Sequence, residues 1–159
     1  MSSAVFVYVT YLNATPEKVW KALIDNELIR QYWGRHKNVS DWKVGSIWLH
    51  EDYDSGAIDI EGKVVAVEPP QRLVLTWIGA NQALRKERPS LVTFEIEPSL
   101  GIARLTLTHS ELEAGSKMLE GISEGWPKVL SSLKTLLETG KAIEITPERS
   151  EPEARTAAM

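Results

Sequence analysis

The spacing of apolar positions changes period twice along the chain. From Ala4 to Leu12, valine, phenylalanine and tyrosine dominate, and the valines alternate with Tyr8, Thr10 and Tyr11, which predicts a first strand. At Thr15-Pro16-Glu17-Lys18 the pattern turns helical: Thr15 is a capping residue, Pro16 suits the first helical position and an acid follows. Val19, Trp20, Leu23 and Ile24 form one short apolar stripe; Leu28, Ile29, Tyr32 and Trp33 form a second, which Gly34 ends. Two short helices joined near Asp25-Asn26 are therefore predicted.

From Gly45 to Glu111 the period falls to two, and strands are predicted over 46–52, 57–68, 72–79, 91–97 and 103–110. Between them stand Asp54-Ser55-Gly56, Pro69-Pro70, a polar loop over 81–89 and Pro98-Ser99-Leu100-Gly101. Connections this short favour an antiparallel meander. Apolar parity slips across Gly62, from Ile58 and Ile60 to Val65 and Val67, which predicts a bulge there. Trp126, Val129, Leu130, Leu133, Leu136 and Leu137 then make a long helical stripe closed by Thr139-Gly140. Residues 116–125 extend this helix upstream, and Pro127 is expected to bend it. Beyond Gly140 there is little to bury, so a domain over 1–140 and a flexible tail over 141–159 are expected. Strands segregated from helices indicate α+β. A curved antiparallel sheet wrapped around the last helix, with the two short helices at one end, buries every apolar face.

Composition narrows the chemistry. The 159 residues are 43% hydrophobic and 25% charged, ordinary for a globular protein. Cysteine is absent, which removes disulfides, thiolate metal sites and cysteine nucleophiles. A net charge of −4 argues against nucleic acid as the partner. The uncharged stretch over 1–16 lacks the basic start and apolar core of a signal peptide, and no apolar run reaches membrane-helix length. A cytoplasmic protein without membrane partners is expected, and the sequons at Asn13 and Asn38 read as chance matches.

The motifs that suggest chemistry are weak. Gly121-Ile122-Ser123-Glu124-Gly125 matches the nucleophile-elbow pattern but sits in a helical stretch, with the last histidine, His109, upstream of it, and so reads as a helix carrying small residues where it crosses the sheet. Asp52-Tyr53-Asp54-Ser55-Gly56 fails the calcium-loop pattern at Gly56 and Lys63. His36, His50 and His109 lack metal-ligand spacing, and no phosphate-binding glycine loop occurs, so neither metal nor cofactor is expected. The Arg85-Lys86-Glu87-Arg88 run reads as a solvated hairpin tip.

Six tryptophans admit two readings, as ordinary core anchors or as walls of a ligand cavity. Alternation puts Trp48 with His50, Trp77 with Leu73 and Leu75, and His109 with Leu105 and Leu107. Trp126 opens the long helical stripe and is predicted to meet His109. Candidate cavity-lining residues are thus Trp48, His50, Trp77, Leu105, Leu107, His109, Trp126 and Leu130. A histidine in such a wall would be held neutral by lost hydration and could orient one polar group of a ligand. Alternatively it satisfies a neighbouring backbone group.

Ala14-Thr15-Pro16-Glu17-Lys18-Val19-Trp20-Lys21-Ala22-Leu23 and Tyr32-Trp33-Gly34 resemble the opening of START-like (SRPBCC) domains. More narrowly they are similar to the family of the C-terminal domain of the activator of the heat shock protein 90 ATPase. Gly62-Lys63-Val64, Glu68-Pro69-Pro70-Gln71-Arg72-Leu73 with Thr76-Trp77, Leu105-Thr106-Leu107-Thr108-His109 and Gly125-Trp126-Pro127 continue the resemblance, as do Leu133-Lys134 and Leu137-Glu138-Thr139-Gly140. It implies the helix-grip fold of the birch pollen allergen type, with a cavity between sheet and long helix. The eukaryotic co-chaperone's separate N-terminal domain has no counterpart in these residues, so direct ATPase activation is not expected.

Three functions follow as expectations. The first is binding of a small apolar or aromatic ligand, and the second is a co-chaperone-like interaction with a protein partner. The third is a cyclase- or hydrolase-type enzyme using His50, His109 or Asp59. A homodimer is left open.

Overall fold

The computed structural model describes residues 3–145, apart from the side chains of Gln82 and Ala83. Most of the tail expected over 141–159 lies outside the described residues. Its first part does not leave the domain: Ala142 packs against the core and the Ile143 carbonyl accepts a hydrogen bond from the Ser132 hydroxyl.

The first strand, β1 (Ser3–Leu12), leads into α1 (Pro16–Ile24), capped by Thr15, whose hydroxyl accepts from the Lys18 N–H. Asp25 closes α1 and caps α2 (Asn26–Tyr32) by accepting from the Glu27 N–H, which is the predicted junction. There follow β2 (His36–Ser40), β3 (Ile47–Asp52), β4 (Ile58–Glu68), β5 (Arg72–Gly79), the one-turn α3 (Gln82–Arg85), β6 (Ser90–Ser99), β7 (Ile102–Glu113) and α4 (Lys117–Thr139). The strands form one antiparallel sheet in the order β1-β7-β6-β5-β4-β3-β2. Its inner face shares a single core with α4 and the two short helices. This is the helix-grip architecture, in the α+β class, that periodicity and resemblance both led to.

β2 has no counterpart among the predicted strands. Its inward position is the buried Asn38 and its one aliphatic residue, Val39, faces out, so hydropathy carries no signal there. The bulge is also displaced. Val64 pairs with Leu75 and Ala66 with Val74, which leaves Val65 as the extra residue, three positions past Gly62. A second shift leaves Asp59 over between the pairs His50–Ile60 and Glu51–Ile58. Gly62 has a different task. A Cβ there would stand 2.0 Å from the Thr76 carbonyl oxygen and 2.7 Å from Trp48 Nε1, and its absence lets Trp48 reach that carbonyl.

In β1 the valines point away from the core. Val5, Val7 and Val9 are 58, 54 and 43% exposed, while Phe6 and Tyr8 pack inward. Leu100 and Gly101, both at positive φ, close the two-residue β6–β7 hairpin that the turn signal marks.

α4 runs unbroken through Pro127. Ser116 caps it, and Gly140, at φ 89°, ends it by donating its N–H to the Leu136 carbonyl. The run over 85–88 is not a free hairpin tip. Glu87 accepts from the Lys117 and Met118 N–H groups at the start of α4, Arg88 donates to the Glu111 and Leu112 carbonyls, and Arg85 pairs with Glu61. A carboxylate suits the positive end of a helix, so these charges dock α4 onto the sheet.

Candidate functional site

An open crevice of about 110 Å³ lies between the N-terminal half of α4, the end of α2 and the middle of the sheet. Trp33, the residue that ends α2, lines it with Trp77 of β5 and with Gly121, Ile122, Gly125, Trp126 and Val129 of α4. Ile122, Trp126 and Val129 belong to the apolar stripe of α4; Gly121 and Gly125 stand one turn apart on the same side. A Cβ added to either glycine would touch nothing within 4 Å. Glycine inside a helix costs about 1 kcal/mol relative to alanine, so sterics alone do not account for two of them here.

Three indoles define the walls. The rings of Trp33 and Trp77 lie 15° from parallel with centroids 6.5 Å apart, and Trp126 leans against both at 5.4 and 5.2 Å. Below them the polar groups form a closed chain. Trp126 Nε1–H donates to His109 Nδ1 at 3.0 Å, which places the ring proton on Nε2; that proton goes to Ser90 Oγ at 2.8 Å, and the Ser90 hydroxyl donates to the Trp77 carbonyl. His109 is fully buried on the side of Leu105 and Leu107, as alternation predicts. Desolvation lowers its pKa from 6.5 to about 3, so the ring is neutral. With both nitrogens engaged, His109 fixes the orientation of Trp126. Trp77 Nε1–H is buried with no hydrogen-bond partner among the described residues.

A second polar cluster lies beyond Trp33. The His50 ring is 4.6 Å from Trp33 and stacks on His36 at 4.4 Å and 6°. Asn38 Oδ1 takes the His50 Nδ1 proton at 2.7 Å. Burial, and then the charge of His36, hold His50 well below its ordinary pKa. His36 contacts the Gly34 carbonyl through Nδ1 and the Asp59 carboxylate through Nε2. Asp59, more than half exposed on its bulge, does not line the crevice. A separate outer groove of about 360 Å³ carries Arg30, Arg35 and Lys141, with the two arginines tied to Glu27 and Asp54.

Of the eight candidates read from the sequence, Trp77 and Trp126 line the crevice. His109 supports it from below, Trp48 backs Trp77 at 5.3 Å, and His50 backs Trp33. Leu105, Leu107 and Leu130 are buried in the general core. Sequence reasoning missed Trp33, Gly121, Ile122, Gly125 and Val129 as walls. Gly121 and Gly125 read in the sequence as small residues of a helix crossing the sheet, which did not mark them as walls of a crevice. Ser123, between the glycines, donates to the Leu119 carbonyl inside the helix, where an elbow serine would need an exposed strand-to-helix turn. Among the described residues no group of three or more histidines and carboxylates could hold a metal ion, and no helix is long and apolar enough to cross a membrane.

Sheet, gripped helix and crevice together define a START-like domain. The family model described as activator of Hsp90 ATPase homolog 1-like protein matches residues 13–138, and the chain belongs to that family. No curated protein matches it. Among solved structures it is similar to MLL2253 from Mesorhizobium loti, with 29% identity and a TM-score of 0.72 over 84% of this chain and 96% of that one. SSP2350 from Staphylococcus saprophyticus shares 25% identity with a TM-score of 0.70 over 90% and 97%. The Aha1 dimer from Colwellia psychrerythraea shares 21% identity with a TM-score of 0.68 over 87% and 99%, a likeness of fold.

Proposed function

We propose that the chain binds a small apolar or aromatic molecule in the crevice between α4 and the indoles of Trp33, Trp77 and Trp126. The observation that carries this reading is the open space left over Gly121 and Gly125 by a helix that is otherwise packed against the sheet. Three aromatic walls and a volume of about 110 Å³ fit a ring-sized apolar group. Membership of a START-like family supports the same function. Titration with ethylbenzene tests it: tryptophan emission should change saturably, and Gly125→Leu, which fills the space, should abolish the change while the fold survives. No saturable change in the parent chain, or an undiminished one in the variant, would refute it.

One observation favours a second reading, contact with another protein. Val5, Val7, Val9 and Tyr11 make an exposed apolar row on the edge strand, and β1 carries no charge from Ser3 to Leu12. A second copy of the chain meets such a row without like-charge repulsion, and the Colwellia relative is a dimer. Sedimentation velocity of the parent chain and of Val7→Lys decides it: a dimer lost in the variant supports the contact, and a monomer in both excludes it.

A further inference from the structure

The two edges of the sheet differ in how they are protected. β2 is five residues long and carries His36 and Lys37, a short charged edge of the kind that discourages strand addition. β1 is ten residues long, with no charged residue and no proline. Its alternation of inward and outward residues is unbroken, and the register shift near Val5 puts the extra residue on β7, where Ser110 and Glu111 stand opposite Val5 alone. β1 is a long, regular, unprotected edge.

Two observations fix which backbone groups of β1 face off the sheet. Ser99 and Ile102 flank the two-residue β6–β7 turn and make a hydrogen-bonded pair. Such pairs alternate along a ladder, so β7 bonds to β6 through its even-numbered residues and to β1 through its odd-numbered residues over 103–109. Their partners are the even-numbered residues of β1 from Phe6 to Leu12. Val7, Val9 and Tyr11 therefore turn both N–H and C=O away from β7. Independently, Lys134 of α4 donates to the Tyr11 carbonyl at 2.6 Å, which requires that carbonyl to point off the sheet. Val5 continues the alternation. Outside the ladder, no hydrogen bond among the described residues reaches the Val5, Val7 or Val9 backbone. The same three residues hold exposed side chains on the outer face.

We propose that two copies of the chain join by antiparallel pairing of β1 with β1, which carries one sheet through both copies. This rests on the reading above that β1 meets a second copy, and adds the mode of docking. The Tyr11 carbonyl is taken by Lys134, so pairing stops short of it. A two-fold axis at Val7 then sets Val7 against the partner's Val7 and Val5 against the partner's Val9. Valine meets valine on one face at each paired position, and all three residues satisfy both backbone groups. An uncharged valine row offers a foreign peptide little to select, whereas it matches itself position by position.

Sedimentation velocity and amide hydrogen exchange of the parent chain, each at low and high concentration, test this. A dimer should form, and where it dominates the Val5, Val7 and Val9 amides should exchange at least about tenfold more slowly than in the monomer. Val7→Pro removes an edge N–H and no ladder bond within the chain, and should weaken the dimer by about tenfold or more; Val7→Thr, which keeps the N–H and the β-branched shape, should hold it. The exchange readout stands even if Val7→Pro fails to fold. A dimer whose valine amides exchange freely, or one that Val7→Pro leaves intact, would overturn edge pairing and leave contact through the valine side chains standing. A monomer at every concentration would overturn both.

Discussion

Along α4, the C-terminal half sets Leu130, Leu133 and Leu136 against the sheet, none more than 6% exposed, whereas the N-terminal half sets Gly121 and Gly125 over open space. Even the polar Ser132 of the C-terminal half is buried, its hydroxyl donating to the Ile143 carbonyl. One helix thus both holds the core together and leaves a gap in it. Met118, Ile122 and Trp126 of the N-terminal half are buried as well, so the opening is local to the exposed Gly121 and the half-buried Gly125. Alanine at either glycine would meet no obstacle and would favour the helix, and the same helix is filled to full burial two turns further on.

Substitutions in the two halves should separate stability from binding. Leu133→Ala should destabilise by about 3 kcal/mol, as buried leucine truncations do, read from the urea midpoint, with ethylbenzene binding retained under native conditions. If its effect is under about 1 kcal/mol, the C-terminal half is not the packed half.

His109 lies at the border between them. His109→Phe leaves Trp126 Nε1–H and Ser90 without their partner and should destabilise by about 2 kcal/mol, with weakened ring binding as Trp126 loses its fixed orientation. The pH dependence has a definite sign. The folded-state pKa of His109 lies near 3, below the ordinary 6.5, so between these values the unfolded chain takes up a proton that the folded one refuses. The contribution is complete above pH 6.5 and is lost as pH falls toward 3. His50, displaced in the same direction by burial, adds to the slope. Unfolding at pH 7 and pH 5 should show this loss, smaller in His109→Phe; an equal loss would mean the histidine is not dry.

Gly125→Leu should leave stability unchanged or raise it by up to about 1 kcal/mol, the opposite sign to Leu133→Ala. A fall in thermal midpoint would mean that the space over Gly125 is closed. Asp59→Asn should have the smallest effect. Its pair with His36 is more than half exposed on the carboxylate side, and such pairs are worth well under about 1 kcal/mol; ring binding should be untouched.

The contrast between the halves also marks how far the sequence could be read. Strands and helices with an apolar face were legible because burial follows their period, and His109 was placed correctly by alternation with Leu105 and Leu107. β2 escaped because its inward residue is Asn38, whose backbone N–H is held by the Asn26 side chain and whose Oδ1 holds His50. The bulge was misplaced at Gly62 because the exposed Val65 looks like core in a hydropathy pattern. The crevice was half legible. Trp77 and Trp126 stood out as large aromatic residues on inward faces, but an empty space is made by what is missing, and glycine in a helix has no period of its own. Trp33 belongs to the site only because α2 ends there and turns the ring toward β5.

The six indoles supply six separable reporters for the central claim, that the crevice under Gly121 and Gly125 is a binding site. A ¹⁵N-labelled chain titrated with ethylbenzene should show saturable shifts of the Trp33, Trp77 and Trp126 side-chain resonances while Trp20 and Trp42, which do not line the crevice, stay in place. Unmoved resonances for the three wall indoles, or shifts centred on Trp20 and Trp42, would contradict it.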